Sequence, residues 1–179
     1  DSRFIAVTTA DGLASSYVKS VTVGPDGRVW VGTYGGGLNV IEGGRVRVVD
    51  AARGLPTNQV RSVLVDRDGV VWVGTTNGLA RLDGDRVRTW GAAEGLPGPS
   101  VNSLWQGPDG AIWVGTSGGL ARFADGRLAP YGEAEGLAAG QVGPVRVTRD
   151  GALWVGTYGA GLMRVQGGQA TRFGEREGL

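Results

Sequence analysis

A four-residue stretch, Trp-Val-Gly-Thr, occurs four times and constrains the fold more than any other feature. It stands at Trp30–Thr33, Trp72–Thr75, Trp113–Thr116 and Trp154–Thr157, so its tryptophans are 42, 41 and 41 residues apart. A fixed period of that length marks an array of similar units, none of which can bury its apolar surface alone. Four of the six tryptophans occupy this one slot, which ties the repeat to packing.

A second marker keeps the same phase: Gly12-Leu13, Gly54-Leu55, Gly95-Leu96, Gly136-Leu137 and Gly178-Leu179. One unit lies between consecutive pairs. The expected units are 12–53, 54–94, 95–135 and 136–177, within one module spanning 1–179. Residues 3–8 resemble the segments that precede the later Gly-Leu pairs and are left over as an extra outer strand. That makes 17 strand candidates for 16 places.

Within each unit the strand signals are regular. Strand A begins at Val18, Val60, Val101 or Val142 and ends in an Asp-Gly pair (Asp26-Gly27, Asp68-Gly69, Asp109-Gly110, Asp150-Gly151). Asp-Gly predicts a two-residue hairpin turn with positive φ at both positions. Strand B carries the Trp-Val-Gly-Thr motif. Strand C follows a glycine-rich bend, and strand D follows a further tight turn. No helix is predicted, because the helical period is missing and glycine, at 35 residues, breaks every long window. Strand B alternates Val-Trp-Val with apolar side chains on both faces. A sheet wet on one side would show polar residues at alternate positions, so each small sheet must be covered on both sides. The expected fold is all-β, a β-propeller of four-stranded antiparallel blades. A flat sandwich would accommodate the strands but gives no reason for a strict repeat.

Composition excludes several function classes. The 18 basic and 17 acidic residues balance, and no stretch concentrates one sign. That argues against nucleic acid or direct contact with an anionic membrane. The chain has neither cysteine nor histidine, which removes disulfides, thiolate ligands and the commonest general base and metal ligand. No cofactor and no metal site are expected. No apolar run is long enough to span a bilayer as a helix. The chain begins at Asp1 and not at Met, as expected of a processed or excised piece.

The pattern Gly-Leu-Pro-x-Asn-x-Val, then Asp-x-x-Gly-x-x-Trp-Val-Gly-Thr-x-x-Gly-Leu, resembles the two-component-regulator propeller repeat. Its best copy runs from Gly54-Leu55-Pro56-Thr57-Asn58-Gln59-Val60 to Leu79. The resemblance implies the sensor portion of a hybrid sensor kinase or related regulator, in a periplasmic or extracellular location. Such sensors carry more than four units, and the kinase lies elsewhere in their chains.

Strand alternation places the A–B and C–D turns on one rim and the B–C and D–A connections on the other. The second rim has longer, chemically variable loops, the usual seat of recognition on a rigid scaffold. Its candidate ligand-binding residues are Tyr34, Thr76, Asn77, Ser117 and Tyr158 after the Gly-Thr pairs, with Tyr17, Asn58, Gln59, Asn102 and Gln141 around the head of strand A. Amides and hydroxyls beside aromatic rings suit a small neutral molecule or saccharide. The same groups could equally satisfy backbone atoms in turns. In the strand-A column holding Thr22 and Leu64, the last two units carry Trp105 and Arg146; innermost strands line the channel, so this break in the repeat is either functional or drift.

Three catalytic or metal readings fall short. Asp66-Arg67-Asp68-Gly69 starts like a calcium loop but lacks the remaining ligands. The Asp-Gly-x-x-Trp hairpin is similar to the Asp-box of sialidase-type propellers without its leading serine. Streptogramin-lyase-type propellers share the Gly-x-x-Trp rhythm but depend on histidine. Glu94, Glu133, Glu135, Glu175 and Glu177 supply carboxylates for a glycosidase pair by type alone. The expected function is a non-enzymatic sensor or ligand-binding module. The alternatives are a protein-interaction fragment that self-assembles and a carbohydrate-active enzyme. Exposed end blades make a two-fold pair, closing an eight-blade ring, the expected assembly over a closed four-blade monomer.

Overall fold

The computed structural model describes residues 6–84, 86–132, 134, 136–137 and 140–178. These residues form four antiparallel sheets of four strands, each sheet built from strands consecutive in sequence. The innermost strands are β1 (Val18–Val23), β5 (Val60–Val65), β9 (Val101–Gln106) and β13 (Val142–Val147). Next come the motif strands β2 (Val29–Thr33), β6 (Val71–Thr75), β10 (Ile112–Thr116) and β14 (Leu153–Thr157). The third strands are β3 (Gly37–Glu42), β7 (Gly78–Asp83), β11 (Gly119–Ala124) and β15 (Gly161–Gln166). The outer strands are β4 (Arg45–Val49), β8 (Arg86–Trp90), β12 (Arg127–Tyr131) and β16 (Gln169–Phe173). Neighbouring sheets meet through β1 with β5, β5 with β9 and β9 with β13, as propeller blades do around an axis.

Each letter of the repeated motif has its own physical task. Trp30, Trp72 and Trp113 are buried against the next blade, in three successive apolar clusters. The following valine, Val73 for example, packs on the opposite face against the previous blade. The glycine allows close approach: a Cβ on Gly32 would lie 2.6 Å from Val60, and one on Gly74 would lie 2.5 Å from Val101. The threonine closes the bend after it. The Oγ1 groups of Thr33, Thr75 and Thr116 donate to the carbonyls of Gly37, Gly78 and Gly119 at 2.9, 2.9 and 2.7 Å. Gly74→Ala is therefore expected to destabilise by about 1–3 kcal/mol through overpacking against the side chains of Ser62 and Val101. An unchanged urea midpoint for that variant would refute the close-approach role.

The turns differ from expectation in one respect. At the A–B hairpins only the glycine takes positive φ, 80° at Gly27, and Asp26 does not. Gly27 N–H donates to Gly24 O at 3.0 Å, and Gly24 N–H donates to Arg28 O at 2.9 Å. This is a three-residue loop with a left-handed glycine. Pro25 favours it by fixing φ ahead of the aspartate, while Asp26 Oδ1 accepts from Arg28 N–H. The two-residue turn with both residues at positive φ occurs instead between third and outer strands, as at Asp125-Gly126 with φ of 52° and 76°.

Short helical turns also appear where none was expected. Single 3-10 turns at Thr9–Asp11, Ala51–Arg53, Ala92–Glu94 and Glu175–Glu177 precede the Gly-Leu markers. They are too short to carry a helical period, which is why periodicity missed them. Half of the expected extra strand at 3–8, residues 3–5, lies outside the described residues, and Ala6–Thr8 follow an irregular, exposed path.

The array is open. The last inner strand, β13, does not pack on β1 as the inner neighbours pack on each other. Val21 and Val23 of the first blade are 60% and 62% exposed, whereas Val63, in the slot of Val21, is 8% exposed. At the other end Trp154 is only half-buried.

Candidate functional site

The inner strands share one irregularity. After its first valine each slips register with its motif strand, leaving Lys19, Arg61, Asn102 and the Gly143-Pro144 pair without a cross-strand partner. A bulge of this kind bends the strand and re-aims a side chain. Lys19, Arg61 and Asn102 consequently line a groove along the inner edges of the blades, whose two parts measure about 510 and 390 Å³. Arg61 and Asn102 border both parts.

Of the expected residues, Tyr17, Tyr34, Asn102 and Tyr158 come together on this groove. The three tyrosines are exposed. Asn102 is anchored across a blade junction, its Nδ2 donating to Val142 O at 2.8 Å. The other expected residues do not line the groove and serve the connections. Asn58 Oδ1 accepts from Ala51 N–H at 2.7 Å, and its carbonyl accepts from both Gly35 and Gly37. Gln59 Oε1 accepts from Thr76 Oγ1 at 2.9 Å. Ser117 Oγ accepts from Ser100 N–H. Asn77 donates its N–H to Thr75 Oγ1, and Gln141 O accepts from Tyr158 N–H at 3.0 Å.

Sequence reasoning missed Lys19 and Arg61, and left Arg146, with Trp105, as a break in a channel-lining column that is either functional or drift. Arg146 stands 4.3 Å above the Trp105 ring, a cation–π contact on the groove wall. The signal that would have found the first two is their position, one residue after the first valine of strand A, where the units read Lys, Arg, Asn and Gly.

The carboxylates have structural work elsewhere. Glu94 accepts from Gly91 N–H and Glu177 from Gly174 N–H, both at 2.7 Å, capping the 3-10 turns. Glu133 and Glu135 lie outside the described residues. Asp66 fastens the motif tryptophan of its blade: its Oδ2 accepts from Trp72 Nε1 at 2.9 Å, and its Oδ1 accepts from two backbone N–H groups of the hairpin. Asp109 is held below the usual carboxylate range by its hydrogen bond from Arg122, and Asp150 by the Thr148 hydroxyl. Both sit in A–B turns on the far rim. Their shift is opposite to that of a proton-donating catalytic acid. Among the described residues, no group of three His, Cys, Asp or Glu side chains could hold a metal ion, and no helix is long and apolar enough to cross a membrane.

Comparison with known proteins agrees with this architecture. The extracellular domain of BT3049 from B. thetaiotaomicron, assigned to a hybrid two component system, superposes with a TM-score of 0.80 at 21% identity, over 92% of this chain and 24% of its own. Virginiamycin B lyase from Staphylococcus aureus gives 0.71 at 19% identity, over 90% of this chain and 56% of that one. The gluconolactonase XC5397 from Xanthomonas campestris gives 0.65 at 17% identity, over 88% and 61%. At these identities the likeness is one of fold, a propeller shared by sensor domains and by lyase and lactonase enzymes. The chain spans about a quarter of the length of the first of these. No curated protein sequence matches it. The family model described as "Two component regulator propeller" matches residues 12–35 and 54–77. Both segments run from a Gly-Leu marker through the motif strand, in phase with the structural repeat, and they make this chain similar to the two component regulator propeller family.

Proposed function

We propose that the chain is a single, non-enzymatic sensor module, with units 12–53, 54–94, 95–135 and 136–177, that binds a small molecule or saccharide in the inner-strand groove. The observation that carries this reading is the bulge in every inner strand, which in the first three blades turns Lys19, Arg61 and Asn102 towards the same groove. Polar groups and exposed tyrosine rings converge there, as in small-molecule sites generally. The family match and the extracellular nature of the two component relative support a sensor working outside the cytoplasm. Self-association through the uncovered end blades is the proposed assembly.

A glycan array followed by calorimetry tests the reading, and turnover of any hit would return the module to the enzymes. Replacing Tyr34 and Tyr158 together by alanine is expected to leave thermal stability within about 0.5 kcal/mol, since both are exposed. The same double variant should weaken binding of an array hit. If the pair unfolds the protein, the tyrosines belong to the core and the choice of groove fails.

A further inference from the structure

The groove carries a charge pattern that the chain's balanced composition conceals. Lys19, Arg61 and Arg146 line it, and no Asp or Glu among the described residues does. The described ion pairs engage Arg28, Arg53, Arg122 and Arg164, none of them on the groove. Arg146 donates to the neighbouring Val145 carbonyl at 2.8 Å and stacks on Trp105, leaving its charge uncompensated. Three cations on one concave wall with no counter-charge repel each other and focus a positive potential into the groove.

Two buried groups on the same wall lack partners. Ser62 is 9% exposed, lines the groove, and its Oγ has no hydrogen-bond partner. Its counterparts are occupied: Ser20 Oγ accepts from Val63 N–H at 3.0 Å, and Ser103 Oγ donates to Gly143 O. The indole Nε1 of Trp105, also on the groove wall, is likewise buried and unpaired. A hydroxyl and an indole N–H are both donors, and an unmade buried hydrogen bond is costly. Both atoms are covered, Ser62 Oγ on the Gly74 side between blades, so the exposed cations and tyrosine rings are what a ligand meets.

We propose that the groove takes a carboxylate-bearing saccharide of the uronate type, an inference that rests on its being the ligand site. Arg61 and Arg146 pair with carboxylate through charge-assisted, fork-shaped contacts, and Lys19 adds a point charge. Tyr17, Tyr34 and Tyr158 offer ring faces to the C–H faces of the sugar, and Asn102 on the same wall meets its oxygens. The net requirement is negative charge joined to hydroxyls, which separates this ligand from a free anion and from a neutral sugar.

The test uses the whole 179-residue chain with trigalacturonate, maltotriose and sodium sulfate, read by calorimetry and by tryptophan fluorescence. Trigalacturonate is expected to bind at least tenfold more tightly than maltotriose, and to weaken as salt rises. Arg61→Gln with Arg146→Gln should cost at least tenfold in that affinity while leaving the melting temperature unchanged. Lys19→Gln, at an exposed position, repeats the test with a separate side chain. Equal binding of maltotriose would overturn the charge requirement and leave the groove as a saccharide site. Sulfate binding as tightly as trigalacturonate would overturn the saccharide. Absence of binding by all three probes would overturn both this inference and the groove reading it rests on.

Discussion

Replacing Trp72 by alanine is expected to cost about 3–5 kcal/mol, the range for a buried large aromatic. The indole is 3% exposed and lies between blades, with ring centroids 5.8 Å from Trp90 and 4.8 Å from Phe123. The Arg81 guanidinium lies 5.7 Å from its centroid. Truncation opens a cavity in this cluster and also strands Asp66 Oδ2, which loses its bond from Nε1. In a domain of this size such a loss lowers Tm by about 6–20 °C. Trp154 is the internal control. It holds the same place in the repeat but stacks on Phe173, 5.6 Å away, at the open end, where no next blade covers it. Trp154→Ala should therefore cost clearly less. Equal melting of both variants and the parent would refute the inter-blade role of the motif tryptophan.

Light scattering at micromolar concentration is expected to return about twice the 18.5 kDa chain mass. At each internal junction a tryptophan face meets a valine-rich face, as Trp30 meets Val63 and Val65. The first blade presents an unmatched valine face, and the last blade an unmatched tryptophan face. These are the two halves of the same contact. Exposed apolar patches associate, and a two-fold pairing would use both faces of each copy and close a ring. Val21→Arg should return the chain to monomer, because that side chain is 60% exposed here and would be buried in the pair. A monodisperse species at the chain mass, unchanged on dilution, would rule the pairing out.

The strands were legible because each is fixed by a local signal. Val18, Val60, Val101 and Val142 open the inner strands as expected, and the outer strands fall between the second tight turn and the next Gly-Leu marker, as expected. Antiparallel alternation then assigned the rims correctly. The groove was only half legible. Tyr17, Tyr34 and Tyr158 stood out as exposed aromatics in polar loops. Asn58 and Gln59 look like binding amides in sequence, yet their oxygens satisfy backbone and hydroxyl donors of the connections. Lys19 and Arg61 escaped notice because they sit inside a strand, where alternation assigns a side chain to a face. At these two strands the bulge breaks that parity without a glycine or proline at the spot, unlike the Gly143-Pro144 pair of β13. Asn39 was unreadable for a related reason. It replaces Ala80 and Ala121 of later units, and its burial depends on the Ala14 N–H, which donates to Oδ1 at 2.8 Å from 25 residues away.

The bulge also separates two kinds of inheritance within one repeat. In the second blade Val60 and Val63, which flank Arg61 and Ser62, are committed to packing, and the motif glycine of the preceding blade, Gly32, is committed to admitting them. Lys19 and Arg61, slipped out of register, are released from both duties and can be exchanged at little cost to the blade, whereas Asn102 also ties two blades through Val142 O. On the proposed reading of the groove, a propeller assembled this way spells its specificity as a word with one letter per blade, here Lys-Arg-Asn-Gly. Duplicating or shuffling blades rewrites that word while leaving the grammar of the fold intact.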